Sequence, residues 1–356
     1  MTNAVAIAQQ GSNNTTFRNR IINGAMMIDQ RNAGGAVTAN NSYPVDRFQY
    51  QFSGSFTLTL QQSSTAPTGF TNSLSATVTS SAAVGSGDYA IITQRVEGYN
   101  IADLAFGTAN AKTITLSFWV QSSVTGTFSG VLNNNGSSRS YPFTYTINNA
   151  NTFEYKTITI AGDTTGTWNT TNSSGFQVRW ALAVGSTLAG TAGSWSGSTY
   201  FGATGGTNLV TTGSATWYVT GFQIEAGSTA SPFEYRSYGT EFDLCRRYYE
   251  QLNFSSASSA TVNEYIGIGM GWSTTDGRIV LSYYPKRSST TCALNGGTIR
   301  FAYSGGGATT GSGFTFDNAG PNSVLMYNTG LSGFSAGMAL QVFGQSAGNI
   351  SFSAEL

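Results

Sequence analysis

Trp217-Tyr-Val-Thr-Gly-Phe-Gln-Ile-Glu-Ala-Gly-Ser-Thr-Ala-Ser-Pro-Phe-Glu-Tyr-Arg-Ser-Tyr-Gly-Thr-Glu241, running on through Leu244-Cys-Arg-Arg-Tyr-Tyr249, decides the fold. Its aromatic and β-branched start reads as a strand, its proline-bearing middle as an extended seam, and its end as a capped helix. Thr240 is placed to cap that helix, with Asp243 completing a capping box. Phe242, Cys245, Tyr249 and Leu252 mark a helical stripe, and Arg246 and Arg247 suit the negative end of the dipole. The spacing predicts a helix over 236–252. Strand, seam and helix in that order are what a β-sandwich needs where it closes and hands the chain to a second unit.

Upstream, strand candidates recur between turn signals at 47–52, 55–61, 73–80, 89–96, 112–121, 126–133, 141–147, 153–160, 175–184 and 215–225. The clearest is Lys112-Thr-Ile-Thr-Leu-Ser-Phe-Trp-Val120, where Ile114, Leu116, Phe118 and Val120 alternate with Thr and Ser, so one face is buried and one polar. Trp119 and Trp180 interrupt well-patterned strands and are weaker ligand candidates than loop aromatics. Order is expected to begin at Phe17, with a turn or bulge at Asn23-Gly24. Beyond the helix, strands are expected at 265–272, 278–284, 298–303, 323–327, 338–343 and 350–356. The fold class is therefore all-β: two antiparallel β-sandwiches, jelly-roll-like, joined by a short helix. The expected divisions are a flexible or docking arm at 1–16, a sandwich at 17–235, the connector at 236–252 and a second sandwich at 253–356. No fixed-period repeat occurs, which disfavours a parallel β-helix.

Composition narrows the function. Charged residues make up 9% of the 356 residues, against ~25% in ordinary domains. Aromatics reach 13%, so the chain can bury apolar area and fold. Sixteen basic residues balance sixteen acidic ones, leaving no electrostatic basis for nucleic-acid or anionic-membrane binding. No apolar run is long enough to span a bilayer, and Met1–Gln10 lacks the pattern of a secretory signal. Cys245 and Cys292 are expected to be free, buried thiols.

No histidine is present, which excludes Ser-His-Asp and Cys-His catalysis and His-ligated metals. No phosphate loop occurs. Two carboxylates could in principle cleave a glycoside, but Glu225, Glu234, Glu241 and Asp243 at the closing seam read as partners of backbone or of Arg236, Arg246 and Arg247. No catalytic residue, metal or cofactor is expected. Asp29, Asp46 or Asp163 could hold a structural Ca²⁺ in the first domain, but nothing there matches a calcium loop. Sugar binding needs aromatic rings beside short polar side chains. Trp168, Trp195 and Tyr200, in Gly/Ser/Thr-rich loops near Asn169, Asn172 and Ser194, meet that need, as does Trp272 at a tip shared with Tyr283 and Tyr284. The alternative use of these rings, covering a sandwich end or a subunit contact, stays open.

Asn19-Arg-Ile-Ile-Asn-Gly-Ala-Met-Met-Ile-Asp-Gln-Arg31, Tyr43-Pro-Val-Asp-Arg-Phe48, Ser117-Phe-Trp-Val120, Ser138-Arg-Ser-Tyr-Pro142, Gly162-Asp-Thr-Thr-Gly-Thr-Trp168 and the 217–249 stretch together resemble a domain of tailed-bacteriophage virion proteins, above all tail-fibre and other host-facing components. The same region is similar, more loosely, to jelly-roll carbohydrate-binding modules, which close on a strand such as Phe222-Gln-Ile-Glu225. The resemblance implies a virion protein assembled in the host cytoplasm, partnered by other virion proteins and by copies of itself as a homotrimer. It implies host attachment through a surface glycan or receptor, without catalysis. A capsid-decorating or tail-joining protein with no receptor role is the other reading.

Overall fold

The computed structural model describes residues 17–254, 264–303 and 306–356, so the expected arm at 1–16 lies outside the described residues. The chain divides into two compact units, one reaching Glu241 and also taking in Leu356, the other running Phe242–Glu355.

Alternating apolar side chains build the first unit. In chain order its strands are β1 (Gln49–Ser53), β2 (Thr57–Ser63), β3 (Ser73–Ser80), β4 (Tyr89–Glu97), β5 (Ile114–Ser122) and β6 (Gly126–Asn134). There follow β7 (Ser140–Ile147), β8 (Glu154–Ile160), β9 (Ser174–Val184), the two-residue β10 (Ala189–Gly190) and β11 (Gly202–Ala203), and β12 (Thr216–Ala226). Two five-stranded sheets result, ordered β1-β4-β9-β6-β7 and β2-β3-β12-β5-β8, and every ladder in them is antiparallel. This is a jelly-roll-like β-sandwich.

Its core is aromatic. Phe118 of β5, Trp180 of β9 and Trp217 and Phe222 of β12 are fully buried, and the Trp180 ring centroid lies 4.0 Å from that of Phe222. Each such side chain contributes roughly 1.5–3 kcal/mol of transfer free energy. The entry to the sandwich is pinned by Asn23, whose backbone is left-handed. Its side-chain amide donates to the Ile28 carbonyl at 2.8 Å and the Asp46 carbonyl at 3.0 Å, giving the expected turn a buried polar anchor.

The second unit has β13 (Tyr249–Phe254), β14 (Glu264–Gly271), β15 (Gly277–Ser282), β16 (Thr291–Asn295), β17 (Thr298–Tyr303), β18 (Ala308–Gly311), β19 (Thr315–Asp317), β20 (Ser323–Asn328), β21 (Ala339–Ser346) and β22 (Gly348–Ser353). They form a three-stranded sheet, β13-β22-β16, and a seven-stranded one, β18-β17-β21-β14-β15-β20-β19. Ile279, Phe301, Met326, Val342, Ile350 and Phe352 fill a core drawn from both.

The helix is shorter than its sequence signals suggest. It spans Tyr238–Arg246 (α1), and Ser237 occupies the capping place assigned to Thr240, its hydroxyl accepting the Thr240 N–H at 3.3 Å. Asp243 pairs with Arg246 at 3.5 Å instead of closing a box. Tyr249 and Leu252, two members of the helical stripe, belong to β13, which lies in full register along β22. A ladder partner distant in sequence outweighs a weak local helical preference.

Candidate functional site

β5 sets the outer surface of its sheet. Ile114, Leu116, Phe118 and Val120 point inward, so Ser117, Trp119 and Gln121 point away from the core. Register places Tyr155 of β8 opposite Trp119. The Tyr155 ring is exposed and lies 5.3 Å from the indole. On the other side β12 pairs with β5 through a bulge between Thr220 and Gln223. Within it stands Gly221, at a left-handed φ of 62°. A Cβ there would sit 2.6 Å from Phe70 Cζ and 3.1 Å from Trp119 Cδ1, so a glycine lets both rings lie against the backbone.

The proline-bearing seam after β12 turns back over the same surface. Phe233 and Tyr235 return to Phe70, with ring centroids 5.2 and 5.5 Å away. The Tyr235 hydroxyl donates to the Gly69 carbonyl at 2.7 Å, which holds an otherwise exposed ring in place. The seam itself is tied down by its charges. Glu225 accepts from the Ser231 N–H at 2.8 Å and its hydroxyl at 2.5 Å. Glu234 accepts from the Asn19 N–H and Glu241 from the Asn23 N–H, while Arg236 donates to the Asn19 carbonyl and pairs with Glu241 at 3.3 Å.

Phe70, Trp119, Tyr155, Ser231, Pro232, Phe233 and Tyr235 thus line an open cleft of about 410 Å³, within the ~300–1,000 Å³ usual for small-ligand sites. None of these side chains carries a formal charge. Around them the sheet presents Thr77, Gln121 and Thr157 on the same outward parity. Beside Tyr155, Glu154 and Lys156 form an ion pair at 2.6 Å. Burial alone would raise the Glu154 pKa, but donors from Lys156, Asn149 and Asn148 outweigh it and hold the carboxyl at about 2. The arrangement suits a flat, uncharged molecule with apolar faces and a polar rim.

The loop residues singled out from sequence lie elsewhere. Trp168 is buried, gives its indole N–H to the Thr165 carbonyl at 3.0 Å, and meets Phe106 and Trp195 edge-on. Trp195, half-buried, donates to the Ala161 carbonyl at 2.7 Å and packs on Tyr141. Asn169 donates to the Ser174 carbonyl at 3.1 Å. Tyr200 lies against Gly190, where a Cβ would come within 2.3 Å of its ring. The long 185–213 excursion folds back onto the sandwich through the parallel β10–β11 bridge and the Ser140–Ser196 bridge. Trp168 and Trp195 are brought together, edge-on at 5.5 Å. In the second unit Trp272 is exposed, with the Arg278 guanidinium 4.4 Å over its ring. Tyr283 does not share that tip: it is buried, stacked 4.4 Å from Phe352, with its hydroxyl donating to the Gly320 carbonyl at 2.7 Å.

The acidic candidates for calcium are engaged separately. Asp29 accepts the Asn32 and Gly34 N–H groups at 3.0 and 2.8 Å. Asp46 takes Gln30 N–H at 3.1 Å, and Asp163 takes two bonds from Arg139 at 2.6 and 2.8 Å. Among the described residues no three His, Cys, Asp or Glu side chains gather as a metal site. Cys245 is buried and Cys292 half-buried, both as free thiols.

The cleft residues Phe70, Trp119, Tyr155, Phe233 and Tyr235 are not the ones sequence reasoning chose. The available signal was parity: Trp119 stands on the polar face of β5, and Tyr155 is out of phase with Ile158 and Ile160 on β8.

No family model matches the chain, and no curated protein matches it. Among solved structures it is similar to the enzymatically active domain of bacteriophage CBA120 tailspike protein 4, at 11% identity and a TM-score of 0.32, over 60% of this chain and 22% of that one. The match thus spans about a fifth of that domain's length. It is also similar to the family 11 carbohydrate-binding module of Clostridium thermocellum (11% identity, TM-score 0.30, 57% of this chain and 99% of that one). A third likeness is to a putative sugar binding protein of Bacteroides thetaiotaomicron (10% identity, TM-score 0.32, 59% and 100%). At such low values the functional reading comes from this chain's own side chains.

Proposed function

We propose that the chain binds a neutral glycan, without catalysis, in the cleft of Phe70, Trp119, Tyr155, Phe233 and Tyr235. The observation that carries this is an exposed, uncharged aromatic cleft held rigid by a glycine bulge and a tethered seam. Trp119 and Tyr155 offer ring faces to the apolar side of a pyranose. Phe233 and Tyr235 form the wall, and Ser231, Gln121 and Thr157 are the short polar groups for hydroxyls. Because the lining carries no charge, binding persists at high salt. The seam carboxylates, the remaining candidates for glycoside cleavage, are engaged with Arg236 and backbone donors, which supports binding over bond-breaking. Affinity electrophoresis through gels containing neutral polysaccharides (mixed-linkage β-glucan, xylan, galactan, mannan) tests the reading. Retardation by at least one polymer, abolished by Trp119→Ala, is expected; a folded chain that none of them retards refutes it.

The setting we infer is a bacteriophage fibre, on the sequence resemblance over 17–250. A homotrimer would multiply weak sites into useful avidity. Gold labelling of intact particles checks the placement, since signal confined to the capsid lattice would favour a decorating role over attachment.

A further inference from the structure

β14 reverses the usual pattern of a half-buried strand. In Tyr265-Ile-Gly-Ile-Gly-Met-Gly-Trp272 the glycines take the core side and, past a bulge at Ile266 that leaves that side chain packed on the core, Ile268, Met270 and Trp272 face out. Cβ atoms at Gly267, Gly269 and Gly271 would come 3.1 Å from Ile279 Cδ1, 3.2 Å from Val342 Cγ2 and 3.1 Å from Phe334 Cδ2. Outside, Ile268 is 71%, Met270 44% and Trp272 58% exposed, and Val280 of β15 is 65% exposed beside them. With Tyr265, also exposed, these side chains offer roughly 600 Å² of surface, taking an aromatic side chain at ~150–250 Å². A monomer's largest apolar patch is ~300–600 Å², and an ordinary interface takes ~800 Å² from each partner. Leu325 on β20 and Ala339 on β21 extend the face by register.

We infer that this face packs against the same face of a second copy of the chain. Area is one argument; charge is the other. Arg278, in the middle of the face, is already held by Asp276 at 2.6 and 3.0 Å and lies over Trp272, so a like surface meets no unpaired charge there. Arg300 on β17 and Asp317 on β19 occupy the same side of the sheet, on opposite flanks of β14. A twofold axis along the strands carries each Arg300 to its partner's Asp317 flank, so the face is complementary to itself.

The inference keeps the reading that the chain works in several copies but sets their number at two, in place of the homotrimer that the sequence resemblance implies, and it fails separately from the glycan cleft. Light scattering after size exclusion, at micromolar concentration, is run on the full chain and on Val280→Lys and Ile268→Lys. Both substitutions sit on the outward side, and circular dichroism checks that the β signal is kept. Two copies in the parent, one in each variant, with the Kd for a short fragment of the same polysaccharide unchanged in the variants, is the expected result. A monomeric parent, or an assembly whose mass neither lysine alters, overturns the proposal and leaves the glycan reading standing. Loss of retardation in Trp119→Ala with assembly intact is also expected, because the two surfaces act independently.

Discussion

Replacing Trp119 by alanine separates binding from folding. The indole is half-buried on the outward side of β5, against Tyr155 and the Gly221 bulge, while the core side of that strand is filled by Phe118 and Val120. An aromatic side chain carries ~150–250 Å², so one ring face covered by a sugar removes roughly 80 Å² from water. At ~25 cal/mol per Å² that is about 2 kcal/mol, or roughly 30-fold in Kd at ~1.4 kcal/mol per decade. Isothermal titration with the polysaccharide fragment identified by gel retardation measures it, with Tm recorded alongside. Trp180→Ala is the contrasting control: that ring is wholly buried between the sheets, and its loss destabilises by ~3–5 kcal/mol. A Trp119→Ala protein that melts like its parent and binds with the same Kd refutes the cleft as the site.

Gly221→Ala places a Cβ 2.6 Å from Phe70 Cζ at a left-handed φ; unfolding in urea should show a loss of about 1–2 kcal/mol from the backbone alone, with glycan affinity falling as Phe70 shifts, and an unchanged midpoint would contradict the bulge's role. In the second unit Glu250 accepts the buried Lys286 ammonium at 2.8 Å and an Arg246 N–H at 2.5 Å. Burial favours a raised carboxyl pKa there, but Lys286 and Arg246 reverse it and hold Glu250 below its ordinary value. Glu250→Gln strands the Lys286 charge and should cost ~3–5 kcal/mol, much of it recovered in Glu250→Gln/Lys286→Met; a neutral single variant in chemical unfolding would count against this. Glu154, held at about 2 against an ordinary 4.5, stabilises the fold fully above 4.5, and that stabilisation is lost as pH falls towards 2. The Tm gap between parent and Glu154→Gln should therefore close over that window, and a gap independent of pH would show the pairing to be inert.

The strands were readable because their apolar residues keep a period of two: the ten expected between 47 and 225 lie within a few residues of β1–β9 and β12. β16, β18 and β19 escaped notice because they are short, the latter two also largely polar, and are made by their neighbours. The helix was legible in kind but not in extent, since nothing local in Tyr249–Phe254 announces a ladder with residues 348–353. The cleft was the harder reading. Loop tryptophans attract attention, yet Trp168 and Trp195 find carbonyl acceptors and ring edges within the sandwich. Trp119 and Tyr155, lying in regular strands, gain their significance from pointing away from the core. The approach of Phe70 to Phe233 and Tyr235 joins segments over 160 residues apart, which no local pattern encodes.

The glycines of β14 have a consequence for folding. Sliding this strand by a single residue would turn Ile268, Met270 and Trp272 inward and make its hydropathy look more conventional, so during folding the shifted pairing is an attractive mistake. It is refused because the Arg278 and Ser335 carbonyls, with Ile279, Phe334 and Val342 behind them, already occupy the room those side chains would need. The correct alignment is thus selected by the close approach of neighbouring backbone as much as by side-chain bulk, so trimming those side chains alone leaves the shifted pairing shut out.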